Sequence, residues 1–267
     1  MIPSNKEEAI EGAKSILDDK SFGSAGAEIV IEEFLEGEEV SILAFCDGFT
    51  AKGMPPAQDH KRVFNNDQGL NTGGMGAYAP TPLITPQQYD ECMQIVQRTV
   101  EAMQREGTPF VGVLYAGFIM TKESGPVVLE YNCRFGDPET QVLLPLLSSD
   151  ITDVMLACTE GRLHSEQVAW KSSTACTVVC SAPGYPESYP KGSIISGLAE
   201  ANQSANAKVY HAGARLASDG SVVTNGGRVL AVTGTGDSLR DAVSNSYAAV
   251  RRLGFEGMHF RTDIANR

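Results

Sequence analysis

At 267 residues, 42% of them hydrophobic, the chain has room for one large globular domain or two modest ones. A formal net charge of -12 argues against sequence-independent binding to nucleic acid, which depends on clustered Lys and Arg. No apolar run reaches bilayer length and the opening MIPSNKEEAIEG lacks the regions of a signal peptide, so the composition predicts a cytosolic protein.

In chain order, Ser4 followed by Glu7 makes a capping-box pattern, and Ala9, Ala13, Ile16 and Leu17 recur at helical spacing, so a helix opens the chain. Glu28 to Leu35 and Val40 to Phe45 read as strands with a turn at Gly37. From Gly53 to Pro82 the chain is rich in Gly, Pro and Asn without periodicity, which predicts a long functional loop. Thr85 and Pro86 start an amphipathic helix through about Glu106 that carries Tyr89, Met93, Val96, Val100 and Met103 on one face. Val111 to Met120 and Val127 to Phe135 form a predicted hairpin, with helices from Asp137 and Asp150 after it. Beyond Trp170 come the short strands Ala175 to Ala182, Lys208 to His211, Val222 to Val223 and Arg228 to Thr233, then a helix from Ser238 to Leu253, which read as a separate α+β unit.

The hairpin's second strand carries the most chemistry. Alternation puts Glu130, Asn132 and Arg134 on one face: a carboxylate, an amide oxygen and a guanidinium. The first two are hard oxygen ligands of the kind Mg²⁺ accepts, and the arginine can grip phosphate oxygens. A water-facing edge strand would look similar, but Gly136, Asp137, Pro138 and Glu139 then resemble a helix start whose free N–H groups favour anions. The same alternation turns Cys133 toward the core, and all six cysteines, with no CxxC pair, read as buried thiols. Gln58-Asp59-His60-Lys61-Arg62 packs opposite charges into a loop that runs on to Asn71-Thr72-Gly73-Gly74-Met75-Gly76, where glycines permit close approach of backbone to a ligand. That loop lacks the Gly-Lys-Ser/Thr ending of a P-loop. Asn225-Gly226 suits a hairpin turn and leads to Arg228.

RFGDPETQ at Arg134 to Gln141 resembles the signature of the phosphoribosylamine-glycine ligases, or glycinamide ribonucleotide synthetases, which are ATP-grasp enzymes of purine synthesis. EEFLEGEEVS, PPAQDHKR, NTGGMGAY and VVTNGGRVLAVT resemble further segments of that family in the same order, and the wording around PPAQDHKR is closer to forms fused to other purine enzymes. The resemblance implies an α+β chain: an N-terminally truncated ATP-grasp domain followed by a small C-terminal α+β domain, divided as 1–48 (lid remainder), 49–168 (core) and 169–267. It implies MgATP, with Mn²⁺ as substitute, and two steps: the glycine carboxylate attacks the γ-phosphate to give glycyl phosphate, and 5-phosphoribosylamine then displaces phosphate.

By the same resemblance Glu32, Glu33, Phe34 and Leu35 border the adenine, and Glu39, or Glu38 after a one-residue slip, binds the ribose. Arg134, Lys61 and Arg62 neutralise the moving phosphoryl group, Glu130 and Asn132 hold the metal, and Asp59, Asn71, Gly73, Gly74, Gly76, Asp137 and Arg228 face the substrates. A further metal carboxylate common in such enzymes has no counterpart in Leu114 to Phe118. The family's domain for phosphoribosylamine and its lysine-bearing phosphate loop would precede Met1, so the expectation is an incomplete enzyme, prone to self-association or to pairing with the missing half. A different ATP-grasp ligase and a non-catalytic nucleotide-binding or interaction module are the alternative readings.

Overall fold

The computed structural model describes residues 2–21 and 23–266. Contacts divide the chain into two compact units, one up to Gly37 and one from Glu38 onward. In the first, α1 (Lys6–Leu17) starts one residue later than its predicted box. Asn5 is the N-cap and accepts from the Glu8 amide, while the Glu8 carboxylate reaches back to the Ser4 backbone and hydroxyl. The strand expected over Glu28 to Leu35 does not form. The segment is extended but joins no ladder, and Val30, Ile31 and Phe34 are exposed. Apolar residues alone do not make a strand; its backbone groups need a partner.

The second unit begins with β1 (Glu38–Asp47) and β2 (Ala51–Gly53). The predicted long loop then proves to hold four short strands: β3 (Gln58–Asp59), β4 (Arg62–Phe64), β5 (Gln68–Asn71) and β6 (Gly76–Ala79). After these come α2 (Pro86–Arg105), the hairpin β7 (Val111–Thr121) and β8 (Gly125–Asn132), α3 (Thr140–Leu143) and α4 (Ile151–Thr159). The remainder is β9 (Thr174–Ser181), α5 (Leu198–Asn202), β10 (Ala207–His211), β11 (Ala214–Leu216), β12 (Val222–Thr224), β13 (Arg228–Gly236) and α6 (Leu239–Val250).

Two antiparallel sheets organise this unit, in the orders β2-β1-β7-β8 and β10-β13-β9-β6-β3. The second sheet mixes strands from the Gly- and Pro-rich region with C-terminal ones, because β6 pairs with β9 from Gly76↔Val178 to Ala79↔Ala175. The expected boundary at 168 therefore has strands of one sheet on both sides.

β1 is apolar on both faces because both are covered. Val40, Ile42, Ala44 and Cys46 pack with Cys92, Val96 and Val100 of α2, while Leu43 and Phe45 pack with Val154 and Ala157 of α4. Fully burying each Val or Leu contributes about 1.5–3 kcal/mol, so this two-sided burial anchors the sheet. α2 starts as predicted, with Thr85 and Gln88 forming a reciprocal capping box. A third cluster lies between the second sheet and α6, where Val178, Cys180, Leu230 and Val232 meet Ala242, Ala249 and Val250.

The helix expected from Asp137 is displaced. The four-residue α3 has Glu139 as N-cap with no side-chain cap bond. Asp137 accepts from Gln141 and Arg228 instead, and Glu139 is turned inward. So short a helix offers no anion site of its own, and that expectation is withdrawn.

Candidate active site

β8 aims its polar residues by means of a bulge. Glu130 pairs with Gly117 and Val128 with Phe118, which leaves Leu129 as the extra residue. Val128 therefore packs on the α2 side, and so does Tyr131, whose hydroxyl lies 2.7 Å from Thr99 of α2. Glu130 and Asn132 face the other way. The expected shared face holds, since Asn132 donates to Glu130 (3.3 Å) and Arg134 donates to Asn132 (3.3 Å). Arg134 also donates to the carbonyl of Phe135. Cys133 is not turned to the core as expected. It follows the last strand residue, where alternation ends, and it is exposed.

Across from Glu130 the neighbouring strand presents a glycine, and a Cβ there would touch the Glu130 side chain at 3.4 Å. No second carboxylate comes from β7, and no group of three His, Cys, Asp or Glu side chains among the described residues is arranged to hold a metal. One carboxylate and one amide oxygen, with room opposite them, suit Mg²⁺, which keeps waters and takes ligands from nucleotide phosphates.

The loop residues converge on the same region. Lys61 pairs with Glu39 at 2.5 Å. Burial works against the Lys61 charge, but Glu39, Asp59 and Glu130 outweigh it and hold its pKa above the usual value. Glu39, expected at a ribose, is thus engaged by Lys61. The glycine loop is tied to the same residue, with the Thr72 amide and hydroxyl both donating to the Lys61 carbonyl and the Gly74 amide donating back to Thr72 Oγ1.

Arg228 closes the arrangement. It donates to the carbonyls of Gly73 (2.5 Å) and Asp137 (2.8 Å) and pairs with the Asp137 carboxylate at 3.1 Å. Three segments far apart in sequence meet at this guanidinium. Gly73 and Gly74 are glycines for a geometric reason: a Cβ at Gly73 would lie 3.0 Å from Arg228, and one at Gly74, where φ is +111°, would lie 2.4 Å from Pro138 and 2.9 Å from Asp59.

Beneath the glycine loop lie two carboxylates. Asp59 Oδ1 is buried without a hydrogen-bond partner. Burial first, and the nearby Glu139 charge second, push the Asp59 pKa well above the usual carboxylate range, against the opposing pull of Lys61 and Arg228. Glu139 is 3% exposed, and its Oε1 forms a triangle with Ser41 Oγ (3.1 Å) and Tyr115 Oη (3.0 Å), which are themselves 2.8 Å apart. Burial and the Glu139 charge raise the Tyr115 pKa. Sequence reasoning placed Glu139 in a first helical turn and passed over Ser41 and Tyr115. The available signal was a hydroxyl in the middle of an apolar run in each of two strands. Tyr185, whose hydroxyl accepts from the Gly73 amide at 3.0 Å, was also missed.

Arg62, Asn71 and Gly76 are engaged within their own strands. The Arg62 side chain turns back along its hairpin to the Gly69 carbonyl at 2.7 Å, and Asn71 pairs with Arg62 across that hairpin and is exposed. Gly76 sits within β6. Glu32 to Leu35 belong to the first unit.

Solved structures place the architecture. The biotin carboxylase domain of a Hydrogenobacter thermophilus 2-oxoglutarate carboxylase, described in complex with MgADP and bicarbonate, superposes over 96% of this chain and 54% of its own with a TM-score of 0.69 at 17% identity. The crystal structure of a phosphoribosylamine-glycine ligase from Thermotoga maritima is nearer, with a TM-score of 0.87 and 33% identity over 99% of this chain and 65% of that one, and the fold is ATP-grasp, as the ATP-grasp (A) domain model that matches residues 1–140 states.

The chain belongs to the phosphoribosylglycinamide synthetase family, since that family's ATP-grasp (A) domain model matches residues 1–140 and its C domain model matches residues 175–267. Relatives include a bifunctional purine biosynthetic protein of Dictyostelium discoideum, 48% identical over 100% of this chain and 36% of the relative, and a phosphoribosylamine-glycine ligase of Neisseria meningitidis, 46% identical over 98% and 62%. The chain therefore spans about a third to three fifths of the length of these curated relatives.

Proposed function

We propose that this chain is the nucleotide-binding and C-terminal portion of an enzyme that uses MgATP to join glycine to 5-phosphoribosylamine through glycyl phosphate. The observation that carries the reading is the convergence of Glu130 and Asn132 with Lys61, Asp59 and the Arg228-gripped glycine loop. Relatives that bear the ligase's name, and a fold neighbour described with MgADP, support it.

Glu130 and Asn132 would hold Mg²⁺, which supplies charge neutralisation at the nucleotide phosphates; Mn²⁺ would be accepted by the same oxygens. Lys61, partly desolvated and kept protonated by its carboxylate neighbours, presents a fixed positive charge where phosphoryl oxygens would gather. Arg134 extends that field on the exposed side. Arg228 holds the loop carbonyls and the Asp137 turn in one geometry, so the loop's backbone can pack closely on a small substrate such as glycine. Asp59 and Glu139 put two carboxylates beside that space. Glu32 to Leu35 bordering the adenine and Arg62 near phosphate complete the proposal on resemblance alone, and a cytosolic location completes it on composition.

The test is glycine-dependent ADP formation from MgATP, with hydroxylamine present to trap glycyl phosphate as glycine hydroxamate, and then with phosphoribosylamine in its place. Hydroxamate formation that disappears in Glu130→Gln supports the reading. Nucleotide binding without glycine-dependent ADP formation, in a protein extended to its relatives' full length, would overturn it in favour of another ligase or a non-catalytic module.

A further inference from the structure

The guanidinium of Arg261 is buried at 1% exposure, far along the sequence from every residue assigned to the site. A buried arginine is costly unless it is fully partnered. Its Nε and one terminal nitrogen fork onto Asp263 at 2.8 Å each, and the other terminal nitrogen reaches Asp67 at 2.9 Å and the backbone carbonyl of Arg62 at 3.1 Å. The same C-terminal stretch grips this segment further: His259 Nε2 lies 2.8 Å from the Val63 carbonyl, the Thr262 amide donates to Asn65 Oδ1 at 2.9 Å, the Asn66 amide donates to Asp263 at 2.8 Å, and the Ala265 amide donates to His60 Nε2 at 3.3 Å. Residues 60 to 67 are thus held along their length by residues 259 to 265.

The held segment carries Lys61, two residues after Asp59 and immediately before β4. The side-chain tether of Lys61 is the pair with Glu39, and both partners are substantially exposed, at 39% and 48%. So exposed a pair is weak and does not by itself place an ammonium group. The backbone on either side of Lys61 must supply the placement. We infer that the segment 259–265 is a positioning clamp for the segment 59–67, which presents Asp59 and Lys61, with Arg261 as its central positioning residue. This rests on the ligase reading for its kinetic consequence but not for its structural one. Arg261 touches no substrate; it acts through the Arg62 carbonyl.

The test compares Arg261→Lys and Asp263→Asn with Ser246→Ala. Ser246 is buried and bonded to the Cys176 carbonyl and the Gly234 amide, so its loss lowers stability without removing any hydrogen bond between residues 259–265 and 60–67. Hydrogen exchange of peptides covering 58–79 and the acetylation rate of Lys61 are measured on each variant, together with kcat and KM for ATP in glycine-dependent ADP formation. The clamp variants are expected to speed exchange selectively over 58–79 and to speed acetylation of Lys61. They should lower kcat about tenfold or more with little change in KM, because small displacements of a catalytic group are expensive. Ser246→Ala should lower the melting temperature and do none of these things. Asp263→Asn keeps the proposal testable if Arg261→Lys fails to fold. Exchange raised uniformly, or kcat reduced only in proportion to folded protein, would overturn the clamp. If the ligase reading fails, the exchange and acetylation results still decide this inference.

Discussion

Glu130 shows how little of a residue's meaning lies in its own chemistry. It is a functional candidate because a one-residue bulge at Leu129 turns it away from α2 and because the strand opposite offers it a glycine. Glu130→Gln keeps the shape and removes the charge, so kcat/KM for MgATP should fall about a hundredfold, within the range found when one electrostatic stabiliser is removed, while Cys133→Ala should stay near wild type. Steady-state ATP kinetics on both variants would show it, and equal losses would discredit the metal assignment.

The cysteines separate just as sharply. Burial pushes the thiols of Cys46, Cys176 and Cys180 up to about 12 and that of Cys92 up to about 11, and it also raises Cys158, whereas Cys133 is exposed. Thiol titration of the native protein at pH 8 should therefore label Cys133 alone, with the other five cysteines reacting only in denaturant.

Asp59 makes a prediction with a definite sign. Its folded pKa is raised, so the folded state holds the proton more tightly than the unfolded one, and stability is lost as pH rises from about 4 through the folded value. Asp59→Asn removes that penalty while keeping the shape. Its melting temperature should exceed wild type at pH 8, by about 2–4 °C for each kcal/mol recovered, and the difference should shrink toward pH 4. Ligase activity should nevertheless fall. Parallel melting curves at all pH values would show that the carboxyl is not strained by its surroundings.

At the scale of elements, the glycine loop and the strand before it behave as one piece, joined by Thr72 to the Lys61 carbonyl and by Arg228 to the Asp137 turn. Gly74→Ala would force a methyl against Pro138 and Asp59 at a φ of +111°. It should lower stability by about 1–3 kcal/mol and loosen the loop, read as faster proteolysis between 65 and 80. A neutral effect would mean that this stretch can move apart freely. The grouping of Asp59, Lys61 and the glycines was legible in the sequence from their proximity and from the need for bare backbone near a ligand. The short strands among them were not, because β3 and β6 have too few residues to show a period and exist only through their partners. Nor was it legible that Arg62 parts from Lys61: adjacent residues of an extended segment point to opposite sides, so Lys61 turns toward Glu39 and Arg62 toward the Gly69 carbonyl.

On the scale of the whole molecule, the second sheet couples the site to the C-terminal part of the chain. β6 leans on β9, and β9 on β13, so the loop that bears Gly73 and Gly74 is anchored in a sheet three of whose five strands come from beyond residue 170. Truncation after Ser173 should strip β6 of β9, leaving it only the two-residue β3, and lower protection of residues 58–79 in hydrogen exchange sharply, while α2 against β1 and β7 keeps much of its own. Unchanged protection over 58–79 would show that the first sheet suffices to order the loop.

The sequence by itself determined whatever is encoded locally: the Thr85 cap and apolar stripe of α2, the β7–β8 hairpin with Glu130 and Asn132 on one face, the Asp150 cap of α4 and the strand β1. Each follows from backbone sterics and side-chain period, which act within a few residues. Tertiary structure alone decided that Glu139 turns inward to Ser41 and Tyr115, that Glu39 meets Lys61, that Arg228 spans two loops and that Arg261 holds the segment carrying Lys61. Charged and polar side chains have no period that reveals their partners. Where they settle depends on which desolvated groups the packed sheets bring within hydrogen-bond reach, and that is known only once distant segments of the chain have met.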